Sequence, residues 1–414
     1  MRFYLKLIII FILLIFFIFP PSFIHLNSIK NLNNFIYAQS KFIFNPQNTT
    51  IAIISEPEGF TKINVSSEIL KGILAIKKEF PISLILLTPE SYEKVSNQIQ
   101  LAIESNSNII IGYGKEIKNE FIKYADENPN IFFIGIDMFS NDIEMDQYLK
   151  NNNLKNLNMI IYKEEEAGFL AGIFAGFLTK DYNNVSNRLN PDNILGIVLT
   201  KMDDSKTRYI FGFKLGVLSV NKDCQINTSE IEDENDFYLI RKTTSSLYQN
   251  NVDLVFQLCG KGSAAAIQAA YLGNNFIIGY EYDQNIFAPE NVVTSAIKKI
   301  SVSLYYYLKR SFLFGFIPGV LRLGIKDGAV GLASFHEFDL LIPQQIKDAI
   351  FTVSNAIAEG KINIPFVSMT IKDTEENIIN NNNSDIKNEE NNSNSQESEE
   401  TQSEESQNST EDNN

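Results

Sequence analysis

Eight short runs of Ile, Val, Leu and Phe punctuate the chain, and they are apolar on consecutive positions rather than on alternate ones. They are Ile51 to Ser55, Ile82 to Thr88, Asn108 to Gly112, Ile131 to Asp137, Met159 to Tyr162, Ile194 to Leu199, Asp253 to Leu258 and Phe276 to Tyr280. A strand with one wet face alternates apolar and polar residues, whereas a strand covered on both faces does not. Longer segments of helical periodicity separate the runs. One has an apolar stripe at Ile69, Ile73 and Ile76, with Ser66 or Ser67 as its cap and Glu68 in its first turn. Another opens on Glu164, Glu165 and Glu166, where carboxylates meet the positive end of the helix dipole, and continues with glycines and alanines small enough to pack closely on a sheet. The pattern predicts an α/β fold: a mostly parallel sheet, or two, with helices on each side.

The two ends differ from this body. Arg2 and Lys6 precede an unbroken apolar run from Leu7 to Phe19 that stops at Pro20 and Pro21. A spanning helix needs about 20 apolar residues, and this run is shorter, so residues 1–40 read as a cleavable signal peptide with Ala38-Gln39-Ser40 as its cleavage site. Lipidation would need a cysteine just after the run, and the only cysteines are Cys224 and Cys259; the expectation is a non-lipidated protein exported to the periplasm or the envelope surface. From 368 to 414 the chain is Asn, Ser, Glu and Gln, too poor in apolar surface to offset the entropy of ordering, and reads as a disordered acidic tail. That tail supplies most of the formal charge of −15. The body is close to neutral and has no basic stripe, which argues against nucleic acid as a partner.

Between the ends lie roughly 320 residues, comfortable for two lobes. Open parallel sheets place ligands beyond the carboxyl ends of their strands, so the polar residues that follow the runs are the candidates: Glu56, Glu58, Asp137, Asp203, Asp204, Gly260, Glu281 and Asp283. Glu281 and Asp283, two apart on a strand end, would point the same way if the strand continued. Convergent acids suit a ligand rich in hydroxyl or amine donors. Catalysis is poorly provided for. The histidines are His25, inside the leader, and His336, and with two scattered cysteines they make no metal cluster or triad. No P-loop occurs, and Gly112-Tyr113-Gly114 lacks the third glycine of a dinucleotide fingerprint and reads as a tight turn. No cofactor is expected, and the chain reads as a binding protein rather than an enzyme.

Six segments, in a common order, resemble the basic membrane protein family, whose best-understood members are purine-nucleoside receptors of ABC-type transport. They are FIKYADENPNIFFIGID from Phe121 to Asp137, EEEAGFLAG from Glu164, GFKLG from Gly212, GYEYDQ from Gly279, VTSAIKK from Val293 and LGIKDGAVGLA from Leu323. The resemblance runs from about Ile51 to Pro365. It implies a type I periplasmic-binding-protein fold: two Rossmann-like lobes with mostly parallel sheets, joined by three crossings, with a nucleoside held between them. The expected division is 48–160 with 291–313 as the N-terminal lobe and 161–290 with 314–366 as the C-terminal lobe.

Position by position, the resemblance assigns Asp137 to a ligand carboxylate, Tyr209 to a stacking aromatic, Gly260 to the glycine after the seventh run, and Lys298 to the lysine of a threonine-serine helix. The first loop departs from the family's Asp-Asp-x-Ser-Phe-Asn, reading Glu56-Pro57-Glu58-Gly59-Phe60-Thr61-Lys62-Ile63-Asn64, with Phe60 and Asn64 as candidates for its aromatic and amide. Glu281 stands where the family has aspartate, and Lys261 places a charge in the glycine-rich turn. The implied function is capture of a small polar ligand, a purine nucleoside, by a monomer that hands it to ABC transporter membrane subunits. The alternative is a ligand sensor or surface interaction protein on the same fold with an altered cleft.

Overall fold

Each of the eight apolar runs is a strand. The structure is a computed structural model that describes residues 48–365 apart from 62–63, 140–147 and 149–154; the expected leader and acidic tail lie outside the described residues. The strands are β1 (Thr50–Ile54), β2 (Ser83–Leu87), β3 (Ile109–Tyr113), β4 (Phe132–Ile136), β5 (Leu157–Tyr162), β6 (Ile194–Thr200), β7 (Gln225–Ile231), β8 (Leu254–Leu258), β9 (Phe276–Glu281), β10 (Val292–Lys298), β11 (Gly319–Leu323) and β12 (Val330–Leu332). The longer helices are α1 (Val65–Lys77), α2 (Val95–Glu104), α3 (Lys118–Glu127), α4 (Glu164–Lys180), α5 (Asp204–Val220), α6 (Phe237–Gln249), α7 (Ser263–Gly273), α8 (Ile300–Phe314) and α9 (Gln344–Ala358). None of the described helices is long and apolar enough to cross a membrane.

Two six-stranded sheets form, in the orders β11-β5-β4-β3-β1-β2 and β12-β10-β9-β8-β6-β7. Among the described residues all pairings are parallel except β10 with β12. Within each sheet the order 2-1-3-4-5 recurs, the doubly wound arrangement whose direction of winding reverses beside the first strand and leaves a crevice at the strands' carboxyl ends. Central strands are buried along their length, as in β4 and β8, which is what their consecutive apolar residues require. The edge strands β2 and β7 are partly exposed; β7 mixes Gln, Asn, Thr, Ser and Glu into its pattern, so the sequence runs did not include it.

Helix packing fixes the lobes. Asn64, not Ser66 or Ser67, caps α1, its side chain accepting the Ser67 N–H at 2.9 Å. The predicted stripe of Ile69, Ile73 and Ile76 is fully buried. The helix α8 lies against α1 at Gly72, where a Cβ would stand 2.7 Å from the Ser301 carbonyl oxygen. The glycines of α4 meet another helix rather than a sheet: Gly168, Gly172 and Gly176 face α5, and Gly212 and Gly216 of α5 face α4.

The expected lobe boundaries need correcting. β10 was assigned with 291–313 to the first lobe, yet it pairs with β9 and β12 in the second sheet; β11 was assigned with 314–366 to the second lobe, yet it pairs with β5 in the first. The chain therefore passes between lobes at Lys163, Lys299 and Gly324. These passages are tied to their surroundings. Lys163 N–H donates to the Leu323 carbonyl at 3.0 Å, Ile325 N–H donates to Glu166 Oε2 at 2.7 Å, and Lys299 N–H donates to the Ala329 carbonyl at 2.7 Å.

Candidate functional site

The carboxyl ends of β3 and β4 in the first sheet and of β8, β9 and β10 in the second converge. Three residues there take the left-handed backbone conformation: Asp137 (φ 50), Gly260 (φ 54) and Glu281 (φ 69). For a side-chain-bearing residue this conformation costs about 1 kcal/mol or more, and such strain concentrates where a side chain must be aimed. Its effect at Glu281 is to break the strand's alternation. Glu281 and Asp283, expected to point the same way, separate: Glu281 turns to the lobe interface, while Asp283 bonds His336 at 2.7 Å near the surface.

Lys298 is the centre of the arrangement. It was expected on a helix, but it is the last residue of β10, a β-branched stretch sandwiched between β9 and β12, and its side chain is only 2% exposed. Its ammonium stands 2.7 Å from Asp137 Oδ2, 3.2 Å from Glu281 Oε1 and 3.7 Å from Glu164 Oε1. Burial alone would lower its pKa; Asp137 and Glu281, with Tyr113 and Glu164 behind them, outweigh burial and hold it well above the ordinary lysine range. Burial raises Asp137 to about 6, against the pull of Lys298. Both shifts leave a charged pair at neutral pH, and the pair joins the end of a first-sheet strand to the end of a second-sheet strand.

A second link runs parallel. Tyr113, at the end of β3, donates its hydroxyl to Glu281 Oε1 at 2.8 Å. Glu164, the first residue of α4, is fixed by Arg208 Nε at 2.7 Å and Ser205 Oγ at 3.0 Å. Arg208 and Tyr113 were not among the sequence candidates, because their partners lie 44 and 168 residues away. At the rim Lys261 reaches Glu58 at 2.9 Å across the lobes, an exposed contact worth little energetically. Glu56 lies inside that rim, and burial, followed by repulsion from Glu281, raises its carboxyl to about 7.

The other candidates fall as follows. Tyr209 is fully buried on α5, edge-on to Tyr280 and Phe256. Gly260 N–H donates to the Tyr280 hydroxyl at 2.8 Å, and a Cβ at Gly260 would stand 2.7 Å from Glu234 Oε2. Phe60 is half-buried against the core. Asn64 serves as a cap, and its amide nitrogen donates to the Gly59 carbonyl at 2.7 Å, so its polar atoms hold the first loop. Asp203 caps α5, accepting Lys206 N–H at 2.9 Å. The Gly112-Tyr113-Gly114 stretch, expected as a tight turn, is instead the end of β3, paired through Gly112 and Tyr113 to β4, and only Gly114, at φ 94, leaves the strand.

One neighbour of the cluster gives a pH prediction. Glu165 is 1% exposed and neither carboxylate oxygen has a hydrogen-bond partner among the described residues. Burial, then repulsion from Glu164, raises its carboxyl from 4.5 to about 8. A group whose pKa is raised on folding favours the fold fully below its unfolded value and loses that contribution as pH rises through the folded one. Stability should therefore fall between about pH 5 and about pH 8, by about 1.4 kcal/mol for each pH unit by which the ionisation is displaced. Glu165→Gln should leave the melting temperature near pH 5 almost unchanged and raise it by several degrees near pH 9. Melting curves across this range check it, and an unaltered slope in the variant would refute it.

The geometry joins the strand ends of both sheets through a charged cluster, and comparison with known proteins gives the chain its family. A family model described as ABC transporter substrate-binding protein PnrA-like matches residues 57–367. Basic membrane protein D of Borreliella burgdorferi (strain JD1) is 27% identical over 300 residues, 72% of this chain and 82% of that protein. Basic membrane protein A of Borreliella burgdorferi (strain ATCC 35210) is 26% identical over 301 residues, again 72% and 82%. Among solved structures, a solute-binding protein of an ABC transporter system from Aeropyrum pernix K1 superposes with a TM-score of 0.64 at 17% identity, covering 80% of this chain and 96% of that one. A transcriptional activator of the comK gene from Bacillus halodurans gives 0.61 at 15% identity, covering 76% and 99%. These structures share the type I periplasmic-binding fold. With three quarters of its length matched by the family model, the chain belongs to the PnrA-like family of ABC transporter substrate-binding proteins, which hold small molecules without transforming them.

Proposed function

We propose that this protein is exported through its N-terminal leader and captures a purine nucleoside between its lobes for ABC-type uptake. The observation that carries the reading is the group of buried Lys298 with half-buried Asp137 and Glu281, assembled from strand ends of both sheets. Asp137 presents one oxygen to Lys298 and leaves Oδ1 buried without a partner, an acceptor suited to a ligand hydroxyl or amine. Tyr209 packs its ring against Tyr280, the residue before Glu281, and the family resemblance assigns the positions of Asp137 and Tyr209 to a carboxylate and a stacking ring. The ligand's closure in a desolvated cleft is the expected source of affinity.

A thermal-shift screen with adenosine, guanosine and inosine tests this. A nucleoside present at about 100 times its Kd should stabilise the fold by about 2.7 kcal/mol, a shift of several degrees. Asp137→Ala should lose most of that shift. If no nucleoside moves the melting temperature, the nucleoside reading is wrong. A second reading, a sensor on the same fold, is favoured by one feature: Glu58, Lys261 and Glu281, the positions that depart from the family pattern, make cross-lobe contacts. Stabilisation by a non-nucleoside ligand in the same screen would support it.

A further inference from the structure

Among the described residues the buried tyrosines place their hydroxyls on definite partners, with Tyr209 the exception. Tyr162 bonds Ser303 at 2.8 Å, Tyr307 donates to the Ile317 carbonyl at 2.9 Å, and the Tyr280 hydroxyl accepts the Gly260 N–H at 2.8 Å. Tyr209 is 0% exposed and its hydroxyl has no hydrogen-bond partner among the described residues. Stranding a hydroxyl in this way costs about 1–3 kcal/mol, so a native fold keeps few of them.

The Tyr209 side chain is not free to swing toward a partner. Its backbone is pressed onto α4, where a Cβ at Gly168 would stand 2.3 Å from the Tyr209 carbonyl oxygen. Its ring is held edge-on by Tyr280 at 5.8 Å and Phe256 at 6.3 Å. The charges acting on its hydroxyl are those of the cleft: Lys298, Glu164, Glu281 and Asp137. These groups are engaged with one another. Lys298 sits on Asp137 Oδ2, Tyr113 and Lys298 meet at Glu281 Oε1, and Arg208 and Ser205 hold Glu164. Burial keeps the phenol protonated far beyond neutral pH, so it is a donor at every working pH. Asp137 Oδ1 is a second buried atom without a partner among the described residues, and it is an acceptor.

We propose that the Tyr209 hydroxyl is a specificity-determining hydrogen-bond donor that selects ligands presenting an acceptor, such as a carbonyl oxygen. A phenylalanine at this position would keep the ring's packing against Tyr280 and Phe256 and lose the donor. The proposal rests on the reading of the cleft as a nucleoside site.

The test compares Tyr209→Phe with the unchanged protein in two measurements: melting without ligand, and calorimetric titration with adenosine, guanosine and inosine. Removing an unpartnered hydroxyl should leave the unliganded melting temperature equal or higher. The affinity for the best nucleoside should fall about tenfold, the ordinary size of one lost hydrogen bond. An affinity within about twofold of the original overturns the proposal, as does a lower unliganded melting temperature, which would show that the hydroxyl serves the fold. If the unchanged protein binds none of the three nucleosides, the function proposed above fails by itself. The unliganded melting comparison then still decides whether Tyr209 holds an uncommitted donor: an equal or higher value supports it, and a lower one overturns it.

Discussion

Gly212→Ala should destabilise the protein by about 4 kcal/mol, at the extreme of single substitutions, because the added Cβ meets rigid backbone. At Gly212 a Cβ would stand 2.0 Å from the Glu165 carbonyl oxygen, and at Gly172 it would stand 2.0 Å from that of Phe213. No side chain can move aside to relieve either contact, so α4 and α5 must separate along their length. Those helices bury Phe169, Ile173, Tyr209, Phe213 and Val217, and each such side chain loses packing when they part. The control is Gly273, at the end of α7, where a Cβ would meet the side-chain nitrogen of Asn275. Gly273→Ala should stay within about 1 kcal/mol, since a flexible amide can yield and alanine favours the helix. Urea denaturation of both variants checks the contrast; equal midpoints would refute the rigid-contact argument.

Lys298→Met should cost about 3–5 kcal/mol at neutral pH, the usual penalty for stripping one partner from a buried ionic group. Here the loss leaves Asp137, Glu281 and Glu164 with their mutual repulsion uncancelled by the lysine. The same change removes the ion pair between strand ends of the two sheets, so small-angle scattering should show a larger radius of gyration for the variant. The cost should shrink as pH falls toward about 5, because Asp137, already raised to about 6, can then take up a proton in place of the lysine's charge. A variant as stable at neutral pH as the original would show that the ammonium does not neutralise this cluster.

How far the sequence foretold this molecule varied with the kind of interaction. Strands buried on both faces announce themselves through consecutive apolar residues, and all eight such runs are strands. β10 was misread because the resemblance suggested a helix, although Val292, Val293, Thr294 and Ile297 are β-branched residues that suit a pleated surface. The lobe boundaries slipped for a related reason: β10 and β11 are consecutive in sequence but belong to different sheets, and local pattern says nothing about which sheet a strand joins. In the cleft, Asp137, Glu281 and Lys298 were legible as polar residues after apolar runs or through the resemblance. Tyr113 and Arg208 were not, since an isolated tyrosine or arginine gains its meaning only from a partner brought close by folding. The triple Glu164-Glu165-Glu166 read as a dipole-compensating helix start, whereas the three carboxylates have separate fates: one pairs with Arg208, one is buried without a partner, and one caps Ile325.

That last carboxylate bears on how the lobes can move. Glu166 belongs to the first turn of α4, just after the chain's first passage between lobes, and its oxygen accepts from the backbone of the third passage; the first and third are further joined through Lys163 and Leu323. Two passages stitched side by side act as one strap rather than two independent tethers. Sliding one lobe over the other would shear those bonds, whereas bending across the strap leaves them intact. The strap thus restricts any relative motion of the two lobes to bending about one line.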